Sequence, residues 1–64
     1  MFIAIFTGSL KARRQFVNQI EATYAVASTT AVTQGRGTVR IETAHFGSYQ
    51  WLTATAVNLG LDTE

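Results

Sequence analysis

The first fourteen residues constrain this chain more than any other stretch. Six apolar residues, Met1 to Phe6, run into Thr7-Gly8-Ser9, and a helical periodicity begins at Leu10. The pattern predicts a strand, a glycine turn and a helix in immediate succession. Because Phe2 to Phe6 are apolar at successive positions, the strand is expected to be covered on both faces and to lie inside a sheet. Ser9 is a good N-cap for a helix reaching to about Tyr24. On a helical wheel Leu10, Phe16, Val17, Ile20 and Tyr24 share one face, with Lys11, Arg14, Gln15, Asn18 and Ala22 opposite.

The start of that helix is basic. Helices favour acids in the first turn, because free N–H groups and the macrodipole already make that end positive. Lys11, Arg13 and Arg14 work slightly against the helix unless an anion sits there, held by backbone N–H groups and closed over by side chains. The bland alternative is a turn permitted by Gly8, a cap at Ser9 and solvated cations. Arg13 falls in the middle of the apolar face. It must snorkel over the sheet or point back at the turn, and either course places its guanidinium near Thr7 and Gly8. The candidate phosphate or nucleic-acid site is therefore Thr7, Gly8, Ser9, Lys11, Arg13 and Arg14.

Sixty-four residues make a single domain, residues 1–64, with a thin core. Disulfides, metals or partners usually support such chains. Cysteine is absent, so disulfides and thiolate metal sites are out, and His45 alone builds no metal site. No metal or cofactor is expected, and self-association, most simply a homodimer, is. No apolar run approaches the ~18 residues of a membrane span, and Met1-Phe2-Ile3 does not read as a secretion signal. The chain is expected to be cytoplasmic and complete, without membrane contact. All five cations lie at or before Arg40 with Glu21 the only acid among them, whereas Glu42, Asp62 and Glu64 follow without a cation. That asymmetry suits docking of one end to an anionic group and is too weak for a general nucleic-acid coat.

Further along, Ala25 to Thr33 is small and β-leaning, with Val26 and Val32 on one strand face. Gln34-Gly35-Arg36-Gly37 reads as a loop, and Thr38 to Phe46 alternates as a strand. A hairpin about that loop would set Val39 and Ile41 against Val32 and Thr30. Tyr49 to Leu59 supports two readings. As a strand after a Gly47-Ser48 turn, it exposes Phe46, Tyr49 and Trp51 beside Arg40, an aromatic-basic face for a partner that Arg36 would extend. As a helix, it lines up Tyr49, Leu52, Ala56 and Leu59, is capped by Ser48, and ends with Gly60 at C′. The glycine stop favours the helix. The expected fold is α/β: a small β-α-β-β sheet with a helix on one face and a short C-terminal helix, or β-α-β-β-β on the strand reading.

These segments resemble a BRCT domain, most closely the module of bacterial NAD-dependent DNA ligases. Phe6-Thr7-Gly8-Ser9-Leu10 resembles its first strand and turn, and Arg13 or Arg14 with Ile20-Glu21-Ala22 its first helix. Val26-Ala27-Ser28 resembles the second strand, Gly47-Ser48 the loop before the next helix, and Ala56-Val57-Asn58-Leu59-Gly60-Leu61 the end of that helix. The chain departs from the family at Thr23-Tyr24, where paired glycines are usual, and in lacking a lysine in the second helix. It also stops at Glu64, where the family continues into a fourth strand and a last helix. The resemblance implies recognition of nucleic acid or a phosphoprotein. A shorter stretch, Gly37 to Thr43 with Trp51-Leu52, resembles a hairpin of a small phage anti-CRISPR family. That implies a phage inhibitor that binds and blocks a host protein acting on nucleic acid.

Catalysis finds no support. Thr7 to Lys11 lacks the spacing of a phosphate-binding P-loop. Ser48 and His45 have no accompanying acid or oxyanion-hole motif, and Glu21 and Glu42 form no carboxylate pair. The chain is expected to be a non-catalytic module binding a phosphate-bearing partner. The alternatives are an inhibitor working through Arg36, Arg40, Phe46, Tyr49 and Trp51, or a structural oligomer subunit.

Overall fold

A computed structural model describes all residues, 1–64, as a two-layer molecule measuring 26 × 21 × 18 Å. Along the chain lie β1 (Phe2–Thr7), α1 (Leu10–Ala22), the short α2 (Tyr24–Ala27), β2 (Thr30–Gly35), β3 (Thr38–Thr43), α3 (Phe46–Asn58) and β4 (Asp62–Thr63). The four strands form one sheet in the order β2-β3-β1-β4, antiparallel throughout. Leaving the short α2 aside, this is the β-α-β-β-α-β connectivity of the split βαβ, ferredoxin-like arrangement. The small α/β fold with a C-terminal helix is present, and β1 is an interior strand.

One face of the sheet carries the core. Ala4 and Phe6 of β1, Val39, Ile41 and Thr43 of β3 point to the helices and are buried there with Phe16 and Ile20 of α1 and Leu52 and Ala56 of α3. Phe6 and Phe16 meet edge-on with ring centroids 5.4 Å apart, the geometry aromatic quadrupoles prefer. The other face has no covering layer. Ile3 is 49% exposed there, and Ile5, Arg40, Glu42 and Thr33 share that face by strand alternation. The expectation that β1 is covered on both sides is thus corrected. All three helical segments lie on one side, and nothing local in an apolar run reports how many layers will cover it.

Three further expectations are corrected. α1 ends at Ala22, because the chain turns at Thr23, whose hydroxyl donates to the Gln19 carbonyl at 2.9 Å. Tyr24 then falls out of the helical phase and is 83% exposed, and Leu10, at the first helical position, is 53% exposed. The segment from Ala25 does not enter the sheet until Thr30. Val26 is buried from the helical turn α2, so the piece likened to a second strand is helical. The β2–β3 hairpin has the expected facing residues but a register two residues away, with Val32 opposite Ile41 and Gln34 opposite Val39. The loop is only Arg36-Gly37, and Gly37 supplies the positive φ of +68° that a tight turn requires.

The fork at Tyr49 resolves as helix. α3 begins earlier than expected, at Phe46, and its N-cap is His45, whose Nδ1 accepts from the Ser48 N–H at 3.3 Å. Ser48 is therefore no cap and Gly47-Ser48 no turn; both lie in the first helical turn. At the other end Gly60 has φ +83°, the Gly60 N–H reaches the Val57 carbonyl at 3.0 Å, and the Leu61 N–H reaches that of Ala56 at 2.9 Å. Those two bonds are the Schellman motif, which a C′ glycine makes possible. The motif turns the chain back into β4, a fourth strand that the resemblance led one to expect missing.

Candidate anion-binding site

Ser9 caps α1 as expected: its Oγ accepts from the Ala12 N–H at 3.1 Å. Of the N–H groups left without an intrahelical partner at such an end, those of Leu10 and Lys11 remain for an outside acceptor. Arg13 also points where its position on the wheel sent it. Its Nε donates to the Gly8 carbonyl at 3.1 Å, and its Nη1 lies 3.5 Å from the Gly35 carbonyl. The guanidinium thus ties the β1–α1 turn to the β2–β3 hairpin, so two of its donors serve backbone carbonyls.

The tie has a consequence for charge. Arg36 follows Gly35 directly at the exposed hairpin tip, so the fold carries it to the end of the sheet where α1 begins. Lys11, Arg14 and Arg36 are all exposed there, and Arg13 is half-buried beneath. The expected grouping of Arg36 with Arg40 and the aromatics is corrected, since the fold places it at the basic end. Asp62 is placed opposite Thr7 by the β1–β4 pairing, and Glu64 follows two residues along the same edge.

Two expected members do not join. Thr7 alternates with Phe6 and so directs its side chain to the uncovered face, away from the helix layer. Gly8 is explained by packing, since a Cβ on it would sit 2.5 Å from Leu61 Cδ2. The aromatic-basic face is also dispersed. Phe46 is 54% exposed but meets Phe2 in a tilted contact with ring centroids 5.3 Å apart, and Phe2 stacks with Tyr49 at 5.2 Å. Trp51 packs on the core. All three belong to the helix layer, whereas Arg40 lies on the uncovered face, paired with Glu42 at 2.9 Å. The arrangement needed Tyr49 onwards to be a strand, and it is a helix.

A polar network that the sequence did not announce sits at the opposite end of the sheet. The buried Thr43 hydroxyl donates to the Thr29 carbonyl at 2.7 Å and accepts from the His45 N–H at 3.1 Å. The Ser48 and Thr29 hydroxyls are 2.7 Å apart, and the Ser48 hydroxyl lies 3.5 Å from His45 Nδ1. These contacts staple the start of α3 to the loop before β2. His45 and Ser48 meet as cap and first turn, with no carboxylate in the network. No cleft on the surface encloses a small molecule, and no group of three or more potential metal ligands converges.

Comparison with protein-family models, with curated proteins and with solved structures finds no match to this chain. No helix is long and apolar enough to cross a membrane.

Proposed function

We propose that this chain is a non-catalytic binding module that holds a phosphate-bearing partner against the end of the sheet where α1 begins. The observation that carries the reading is the Arg13 tie, which brings the Arg36 hairpin tip to the basic first turns of α1. Lys11, Arg14 and Arg36 are the contacting cations on this reading, with the Leu10 and Lys11 N–H groups as directional donors. Arg13 is the organiser. The cations are spread over open surface, which suits the repeated phosphates of a nucleic-acid strand better than one enclosed phosphate on a peptide.

Fluorescence anisotropy with a labelled single-stranded oligonucleotide, and separately with a phosphopeptide, tests this at low salt. Three phosphate contacts give a slope of about −2 in log K against log salt. The combined substitution Lys11→Gln, Arg14→Gln, Arg36→Gln should remove that binding while leaving the melting temperature in place, and Asp62→Asn should tighten it. Tighter binding of the phosphopeptide would move the assignment to phosphoproteins. Undiminished binding by the triple variant, or none by the unaltered protein, would end the proposal.

The inhibitor reading retains one observation. Phe46 is 54% exposed and adjoins the Phe2 ring at the end of the sheet far from the cations. A protein partner docking there would use Phe46 and Tyr49 without Arg40 or Trp51. Binding that Phe46→Ser abolishes and salt leaves untouched would favour it.

A further inference from the structure

We infer that two copies of this chain pair antiparallel through the free edge of β2, making one continuous eight-stranded sheet. The sheet has two edges of different character. At one, β4 is paired with Phe6 and Thr7, and the Glu64 N–H donates to the Ile5 carbonyl at 2.8 Å. At the other, β2 is paired on its β3 side only, through six consecutive residues without a bulge. Monomeric proteins defend such an edge with charges, proline or a bulge. Thr30-Ala31-Val32-Thr33-Gln34-Gly35 has none of these.

The occupant follows from the ladder's parity. The Glu64–Ile5 bond makes the odd residues of β1 face β4, so its even residues bond to Thr43, Ile41 and Val39. Antiparallel alternation then turns the N–H and C=O groups of Ala31, Thr33 and Gly35 towards β3 and those of Thr30, Val32 and Gln34 outwards. A twofold axis at Val32 sets Val32 against the partner's Val32, and Thr30 against the partner's Gln34, satisfying all three outward residues at once. On the uncovered face, Arg40 neighbours Thr33 and Glu42 neighbours Ala31. The same axis places Thr33 opposite the partner's Ala31, so the row beginning at Arg40 ends at the partner's Glu42. The edge is thus complementary to itself in its hydrogen bonds, while Arg40 keeps its pairing with Glu42 of its own chain. Edge pairing alone buries less than the ~1,600 Å² of a standard interface, so the dimer is weak and depends on concentration. It is independent of the anion-binding reading.

Sedimentation equilibrium from about 1 μM to 1 mM, with hydrogen exchange at both limits, tests it. The expected result is a monomer–dimer equilibrium in which the Thr30, Val32 and Gln34 amides gain protection at high concentration, while those of Ala31 and Thr33 stay protected throughout. Ala31→Lys with Thr33→Lys puts lysines opposite one another across the axis and should weaken the dimer roughly tenfold or more. Ala31→Lys with Thr33→Glu turns those contacts attractive and should pair at least as well as the unaltered chain. Both variants keep their substitutions on the exposed face, and the exchange pattern of the unaltered protein decides the matter should either fail to fold. A 7.0 kDa monomer at the upper limit would overturn the inference. So would a dimer without protection at these three amides, or equal affinity in the two charge variants.

Discussion

Gly60 is where a single atom should reveal how α3 is terminated. Its φ of +83° lies in the left-handed region, and a Cβ built there meets nothing within 4 Å. Any penalty for adding a side chain is therefore backbone strain uncontaminated by collision. An L-residue in that region costs roughly 1–2 kcal/mol, and a β-branched one sits at the upper end because its second γ-substituent crowds the backbone. Escape to negative φ would break the bonds from the Gly60 and Leu61 N–H groups and pull Leu61, 4% exposed, from its place against Gly8. Gly60→Val should thus lose about 2 kcal/mol, Gly60→Ala about 1, and Gly60→Asn less again. For a domain of this size each 1 kcal/mol moves the melting temperature by roughly 4–8 °C, so the valine variant should melt about 8–16 °C lower. Thermal unfolding followed by circular dichroism reads the series directly. A valine variant melting with the unaltered protein, or an alanine variant melting below the valine one, would show that the left-handed cap does not hold the helix end.

Thr43→Val keeps the shape of a side chain only 1% exposed but strands the Thr29 carbonyl and the His45 N–H. It should cost about 2 kcal/mol, measurable by urea denaturation, and an unchanged midpoint would mean that water replaces both bonds. His45→Asp substitutes a stronger acceptor, and one whose charge suits a helix N-terminus, for the imidazole. It should raise stability by about 0.5–1 kcal/mol, and a lower melting temperature would show that the ring itself packs there.

What could be read in advance was local chemistry. Ser9 announces the start of α1 and Gly60 the end of α3 because each acts within one turn of its own position. Arg13 could be aimed from the wheel alone, since an arginine on an apolar face has few exits. The end of α1 carried no such mark: the backbone leaves the helical region at Thr23 (φ −112°, ψ 89°) while the hydroxyl bonds back to the Gln19 carbonyl, and threonine is equally at home inside helices and strands. Gly47-Ser48 read as a turn because glycine usually punctuates, while the true cap, His45, lies outside the residues that capping preferences favour. The hairpin slipped by two residues because Gly35 passed for loop when it closes the ladder. Arg36's place in the basic end was hidden altogether, since only the tertiary tie from Arg13 to Gly35 brings it there.

The interior strand β1 is made first and completed last. Its neighbours in the sheet, β3 and β4, both come from the second half of the chain, so Ala4 has no cross-strand partner until Ile41 exists. Only the β2–β3 hairpin can zip from a short loop. Closing the rest of the sheet must pay a long loop's entropy before any contact repays it. Folding is therefore expected to be all-or-none, with Phe6 exposed until β3 arrives. Stopped-flow refolding should then show mutations in the hairpin slowing folding, and those in β4 mainly hastening unfolding. The reverse pattern would place the nucleus at the other edge of the sheet.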